Sequence, residues 1–180
     1  MRSSKFPGGP TKDEVMAVAL FKLGVHAGDL MLDIGCGTGK IAIAAARLGA
    51  DVVAIDRQPE AIRFAKKEAK REDVQNIDFS CTEAMEFLLN NDRIYDCVFV
   101  GGSHGLSEFL PMLPECVRRV IVVNAVLVGT LQSAVSKMEE LGIFLEAVHV
   151  QVARSHGIAG SIMFKPIDPV YVIVGKGSAC

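Results

Sequence analysis

Short apolar runs alternate with amphipathic stretches along most of this chain. Leu30–Ile34, Asp51–Ile55, Ile77–Cys81, Tyr95–Val100 and Arg119–Asn124 are strand-length runs in which apolar residues are the majority. Between them, Thr38–Leu48, Pro59–Arg71 and Glu83–Leu89 carry helical periodicity, with Pro59 placed for a first turn. A further helix is predicted from Thr11 to Leu23, where Val15, Ala19 and Leu23 recur at helical spacing. Thr11 and Glu14 read as its capping box, and Gly24 as its stop. Residues 1–10 hold Gly8, Gly9 and Pro10 and predict an extended arm. Ser107–Cys116 is expected to be partly helical, broken by Pro111 and Pro114. Gly129–Leu141 predicts a helix, and Phe144–Val152 and Pro169–Val174 predict strands. No helical pattern lies between these last two strands. Residues 153–168 are therefore expected as a loop or hairpin extension, which makes its flanking strands antiparallel neighbours. The sum is one α/β domain over residues 1–180, with a seven-stranded, mostly parallel sheet, the last strand reversed, buried on both faces.

The chemistry concentrates at one turn. Asp33-Ile34-Gly35-Cys36-Gly37-Thr38-Gly39 joins the first strand to an Ala-rich helix. A strand, a glycine turn, a helix and a second strand ending in an acid is a frame for an adenosine-containing cofactor. Dinucleotide folds want G-x-G-x-x-G, whereas the spacing here is G-x-G-x-G with an acid ahead of it. That acid, Asp33, would repel a phosphate but suits the ammonium of an amino-acid group. The turn resembles motif I of the S-adenosylmethionine-dependent methyltransferases, and the element order is that of their Rossmann-like class I fold. On this reading Gly35, Gly37 and Gly39 let the backbone pass close to the ligand. The amides from Thr38 onward, at a helix N-terminus, face the methionyl carboxylate. Cys36 is a small filler, since no base stands near it in sequence. Asp56, at the end of the second strand, is the acceptor for the ribose hydroxyls. Arg57 is a candidate to stack on adenine, to bind a substrate carboxylate or to pair with Glu60. Glu83 and Ala84, after the third strand, are candidates for the adenine edge, with Glu83 equally readable as a helix-terminal acid.

Gly101-Gly102-Ser103-His104-Gly105 follows the fourth strand, at the sheet edge where open α/β sheets bind ligands. Amino-methylating enzymes often carry an Asp/Asn-Pro-Pro-aromatic motif there, and this chain has none, which favours a carbon or oxygen target. Gly101 is assigned to the cofactor. His104 and Arg154 are the weak candidates for a catalytic role, and no general base is assigned. Arg154, His156 and Lys165, with Lys5 and Lys12, either form a basic rim over the site or belong to a solvated hairpin.

A narrower resemblance spans about Pro7 to Val174. Pro7-Gly8-Gly9-Pro10-Thr11, Ala54-Ile55-Asp56-Arg57, Gly101-Gly102-Ser103 and Ala153-Arg154 are similar to the small, stand-alone decarboxylating precorrin methyltransferases of cobalamin biosynthesis. The resemblance implies methylation of carbon 15 of a cobalt-precorrin-6B-type tetrapyrrole, with loss of carbon dioxide from the carbon-12 acetate. It implies S-adenosyl-L-methionine as cofactor, with contacts at Thr11, at Gly35 to Gly39 (Cys36 included), at Asp56 and at Ala84, and a homotetramer built through the 153–168 extension. It also implies a separate protein for carbon-5 methylation. The chain departs from the family pattern at Glu83, where Asp is usual, and at His156, where a second arginine is usual.

Bulk composition narrows the alternatives. A net charge of −2 gives no global basic field for nucleic acid. The five cysteines form no C-x-x-C pair, and the four histidines show no ligand spacing, so neither a disulfide frame nor a metal site is expected. No signal peptide or membrane-length apolar run is present, which points to the cytoplasm and to no membrane partner. The rival readings are an RNA or protein methyltransferase on the same fold, a non-catalytic adenosine-nucleotide-binding oligomer, and, against the glycine spacing, a nicotinamide dehydrogenase.

Overall fold

The structure, a computed structural model, describes residues 11–180, so the predicted 1–10 arm and Lys5 lie outside the described residues. Helix α1 (Asp13–Leu23) leads into β1 (Leu30–Ile34), α2 (Lys40–Arg47), β2 (Asp51–Asp56), α3 (Pro59–Arg71), β3 (Ile77–Cys81), α4 (Ala84–Leu89) and β4 (Tyr95–Val100). Two single turns, α5 (Leu106–Phe109) and α6 (Leu113–Cys116), flank a 3-10 turn at Leu110–Met112. Then come β5 (Val117–Ala125), α7 (Val128–Glu140), β6 (Phe144–Val150), β7 (Ala153–Ile158), β8 (Ser161–Pro166) and β9 (Val170–Lys176).

Seven strands form one sheet in the order β3-β2-β1-β4-β5-β9-β6. Strands β1 to β5 pair in parallel, and β9 runs antiparallel to both β5 and β6. The predicted reversed last strand is therefore β9. The 153–168 segment is a hairpin, β7 against β8, forming its own two-stranded sheet.

Side-chain alternation divides the core into two layers. Leu32, Ile34, Val98 and Val100 point to the face covered by Phe109, Leu113 and Met138. Met31, Cys97, Phe99 and Val122 point to the other, against Ala19 and Leu23 of α1 and Ala42 and Ala45 of α2. The alanines of α2 leave little side chain between helix and sheet, which holds the glycine turn ahead of α2 close to the strand ends. Ile34 stands level with Ile55 and with Val100, so β1, β2 and β4 deliver their loops to the same edge.

Two local expectations are corrected. The N-cap of α1 is Lys12, with no side-chain cap; Glu14 instead receives two hydrogen bonds from Arg154, at 2.9 and 2.6 Å. That contact ties the β7–β8 hairpin to α1, and a bidentate guanidinium outcompetes the backbone amide that a capping box would offer the carboxylate. Helix α2 starts at Lys40 rather than Thr38, because Gly39 takes a left-handed φ of +75° at the cap and leaves Thr38 in the turn.

At the opposite edge of the sheet the buried Asp29 receives Arg119 at 3.0 and 2.6 Å. The guanidinium holds the Asp29 carboxyl below its usual range despite the desolvation that opposes it. Arg119→Ala strands this carboxylate, so unfolding in urea is expected to show a loss of about 1–3 kcal/mol, part of the pair's worth being screened at the half-exposed arginine. An unchanged midpoint would contradict that role.

Candidate functional site

The glycine turn is pinned to the end of β2 by three contacts. The amides of Gly35 and Cys36 both donate to the Ile55 carbonyl, at 2.8 and 3.0 Å, and the Gly37 amide donates to Asp56 Oδ2 at 2.9 Å. Asp56 Oδ1 takes the Gln58 amide, also at 2.9 Å. Each carboxylate oxygen thus spends one acceptor position on the backbone and keeps another. Asp56 organises the loop as well as facing the cavity, a double duty that its position in sequence does not reveal.

The glycines divide their work differently from the expectation. At Gly35, φ is +72°, and a Cβ would stand 2.9 Å from the Gly102 amide nitrogen. What excludes a side chain there is the crossing of the β1 and β4 loops, not a ligand. Gly37, at φ +54°, faces open space with no protein atom within 4 Å of a built Cβ. It is the position where the cavity reaches the backbone.

These loops enclose a cavity of about 860 Å3 along the carboxyl ends of the strands. Its wall brings together Thr11, Gly35, Cys36, Gly37, Thr38, Asp56 and Arg57 with Glu83, Ala84, Gly101 and His104. Among the assigned cofactor residues, Asp33 and Gly39 are not part of the wall. Gly39 packs behind it, where a Cβ would meet that of Ala65 at 2.8 Å. Asp33 is fully buried, and neither carboxylate oxygen has a hydrogen-bond partner. Burial pushes its carboxyl up to about 7; the Ala42 amide, which falls short of a hydrogen bond to either oxygen, opposes this weakly, and the Asp56 charge adds to the rise.

Cys36 is nearly closed off, and burial pushes its thiol far up, with Asp33 and Asp56 adding to the effect. It is a filler and not a nucleophile. Arg57 reaches toward Glu83, at 3.9 Å, and not toward Glu60, which pairs with Arg63 at 2.7 Å. His104 is exposed in a turn at the rim. Arg154, His156 and Lys165 do not line the cavity of this chain; Arg154 is occupied by Glu14, whose carboxyl it holds down at about 2. Of that basic set only Lys12 lines the cavity among the described residues, so Arg154, His156 and Lys165 follow the solvated-hairpin alternative. A shallower hollow of about 570 Å3, lined by Lys66, Lys70, Asp73 and Phe79, holds none of the candidate residues.

The opposite wall was not found from the sequence. Asn124 at the end of β5, Ala125, Val126 and Leu127 after it, Thr130 in α7, and Asp168 and Val170 before and in β9 complete the cavity. Val126 and Leu127 expose more than half of their surface at its mouth. The available signal was that β5 neighbours β4, so its carboxyl end had to share the ligand edge.

An open parallel sheet with one reversed strand, a glycine turn after β1 and acids at the ends of β1 and β2 define the Rossmann-like fold of class I S-adenosylmethionine-dependent methyltransferases. The sequence profile of the precorrin methyltransferase domain matches residues 6–175, and the chain belongs to that family. A relative from Methanosarcina acetivorans, "Probable cobalt-precorrin-6B C(15)-methyltransferase (decarboxylating)", is 44% identical over 176 residues, 96% of each chain. A relative of the same name from Archaeoglobus fulgidus is 37% identical over 92% of this chain and 96% of its own. Among solved structures, precorrin-6y C5,15-methyltransferase from Geobacter metallireducens superposes with a TM-score of 0.87 at 34% identity, covering 93% of this chain and 90% of that one. Precorrin 8W decarboxylase from Methanobacterium thermoautotrophicum gives 0.88 at 29% identity, covering 93% and 91%.

Proposed function

We propose that this protein transfers a methyl group from S-adenosyl-L-methionine to carbon 15 of a cobalt-precorrin-6B-type tetrapyrrole and removes the carboxyl of the carbon-12 acetate as carbon dioxide, in cobalamin biosynthesis. The observation that carries this reading is the near full-length 44% identity to a relative of that name, joined to a cavity built on the matching motif.

The residues fit the cofactor. Gly37 opens the cradle, and Asp56 keeps a free acceptor position on each oxygen for the ribose hydroxyls. Asp33 is a buried acid lacking a partner behind the turn, and it suits the methionyl ammonium, directly or through water. Thr11 and Thr38 border the methionyl end, while Arg57, Glu83 and Ala84 border the adenine side. When bound, the cofactor supplies an electrophilic methyl group. The chain's own residues orient the two reactants and exclude water. The macrocycle provides an electron-rich carbon, so no strong base is required. On decarboxylation the carbon–carboxyl bond breaks, its electron pair enters the conjugated ring, carbon dioxide leaves, and the carbon takes a proton from solvent.

The whole chain serves as one methyltransferase domain working in the cytoplasm, with a separate protein methylating carbon 5. Its five cysteines stand as free thiols, and no helix among the described residues is long and apolar enough to cross a membrane. The assembly is a homotetramer through the β7–β8 hairpin. Support comes from Ile158, Ile162, Met163 and Phe164, which are exposed by 42% to 70%. By register Ile162 and Phe164 share one face of the hairpin and Ile158 and Met163 the other, and exposed apolar side chains grouped in this way mark an interaction surface. Ile162→Glu with Phe164→Glu is expected to yield monomers or dimers by light scattering, with the fold kept by circular dichroism; an unaltered mass would remove the hairpin from the interface.

Anaerobic mass spectrometry of cobalt-precorrin-6B with protein and S-adenosylmethionine tests the activity. The expected product is one methyl heavier and one carbon dioxide lighter. A methyl gain alone would remove the decarboxylating assignment, and no change would redirect the search to another acceptor.

A further inference from the structure

Lys40 stands at the cavity in a place where its charge is locally unfavourable. It is the first residue of α2, directly after the left-handed Gly39, and it lines the cavity. The first turn of a helix is the positive end of its dipole, and α2 has no acid there to offset a lysine. A residue set against its local preference points to a tertiary role. The ammonium donates to the Thr11 carbonyl and to Asp13 Oδ1, each at 2.6 Å.

Both partners belong to the entry of α1. Thr11 and Lys12 precede that helix, Val15 lies in its first turn, and all three are part of the cavity wall. The body of α1 does not depend on Lys40, since Val15, Ala19 and Leu23 are buried. Its entry is held less firmly, because Lys12 at the N-cap makes no side-chain cap. Arg154 grips the same turn from the hairpin, at Glu14 and, at 3.7 Å, at Asp13. Lys40 is what ties that turn to the helix of the glycine loop. Asp13 is well exposed, so its ion pair adds little to overall stability, and the effect of the contact is geometric. Resting on the proposed use of S-adenosylmethionine, we infer that Lys40 is a positioning residue for cofactor binding. It straps Thr11 and Lys12 to the start of α2 and so closes the cavity wall between the two helices. Two of the three ammonium N–H groups are spent on the strap, so Lys40 acts through Thr11 and Asp13 and not as a direct ligand.

The test titrates the full-length wild type, Lys40→Met, Asp13→Asn and the double variant with S-adenosylmethionine by calorimetry. Lys40→Met keeps the stem and removes the ammonium. It is expected to weaken binding about 5- to 20-fold, part of what a charged hydrogen bond contributes. The melting temperature of the free protein is expected to stay within about 2 °C of wild type, as for an exposed pair. Asp13→Asn keeps the Thr11 bond and is expected to weaken binding about 2- to 4-fold. The double variant should bind no worse than Lys40→Met, since both residues act in one strap. Trypsin cleavage after Lys12 in the free protein should quicken about threefold in Lys40→Met, as the entry opens locally. Should Lys40→Met not fold, Asp13→Asn carries the test through its own affinity and cleavage rate. Wild-type affinity in the variants would overturn the inference alone. A loss in Lys40→Met with wild-type affinity in Asp13→Asn and unchanged cleavage would also overturn it, by making Lys40 a direct ligand. Melting temperatures that fall in both variants in step with affinity would overturn it by making the contact structural. Wild-type protein that binds no S-adenosylmethionine would overturn the cofactor reading and this inference with it.

Discussion

Asp56→Ala is expected to weaken S-adenosylmethionine binding by about 100- to 1,000-fold and to abolish measurable methyl transfer. Two losses combine. The ribose hydroxyls lose a charged acceptor, each such hydrogen bond being worth about 1.5–3 kcal/mol. The glycine turn also loses its side-chain anchor, since the Gly37 and Gln58 amides both donate to this carboxylate at 2.9 Å. Asp56→Asn separates the two effects only in part. One of its ends still accepts, while the other sets an NH2 group against a backbone amide. Calorimetric titration with the cofactor, beside a thermal melt of the free protein, reads both losses. Cys36→Ala is the control from the same turn and is expected to bind within about twofold of wild type, because its thiol is buried and held protonated. Equal, small effects of the two substitutions would refute the cofactor site as assigned.

Free protein is expected to lose stability as pH rises from about 4 to about 7, with Asp33 as the source. Its carboxyl is raised from 3.8 to about 7, so over that window the native state holds a proton that the unfolded chain has released. Stability therefore falls with rising pH and levels off once the native carboxyl has also ionised. At one pKa unit per 1.36 kcal/mol the loss is on the order of 4 kcal/mol. Asp33→Asn is expected to remove that slope and to leave the free protein more stable than wild type at pH 8, by urea unfolding. The same substitution should weaken cofactor binding, because the carboxylate partner of the ammonium is gone. Opposite signs in stability and affinity are the signature of an acid kept for a ligand. A pH slope that survives in Asp33→Asn would assign it to another group.

The glycine turn, both strand-end acids and the alternation of strands and helices were legible because each rests on local rules. Glycine at positive φ, apolar runs of strand length and helix-breaking prolines need no knowledge of distant residues. Even the hairpin at 153–168 could be anticipated from the missing helical pattern. The capping box failed for a tertiary reason, as Arg154, far along the chain, claims Glu14. The choice between a basic rim and a solvated hairpin was open for the same reason, since the partner of Arg154 lies far away in sequence. The opposite wall escaped notice because Asp168 and Val170 reach the end of β5 only when β9 inserts between β5 and β6.

Fold class and family are legible in the chain alone, since they depend on short motifs and on hydrophobic periodicity. It takes the folded chain to show that Gly35 serves loop packing and Gly37 the cavity, that Asp33 is sealed without a partner, and that Asn124 lines the cavity. Those are facts of burial and close approach between segments remote in sequence, and no local pattern encodes them.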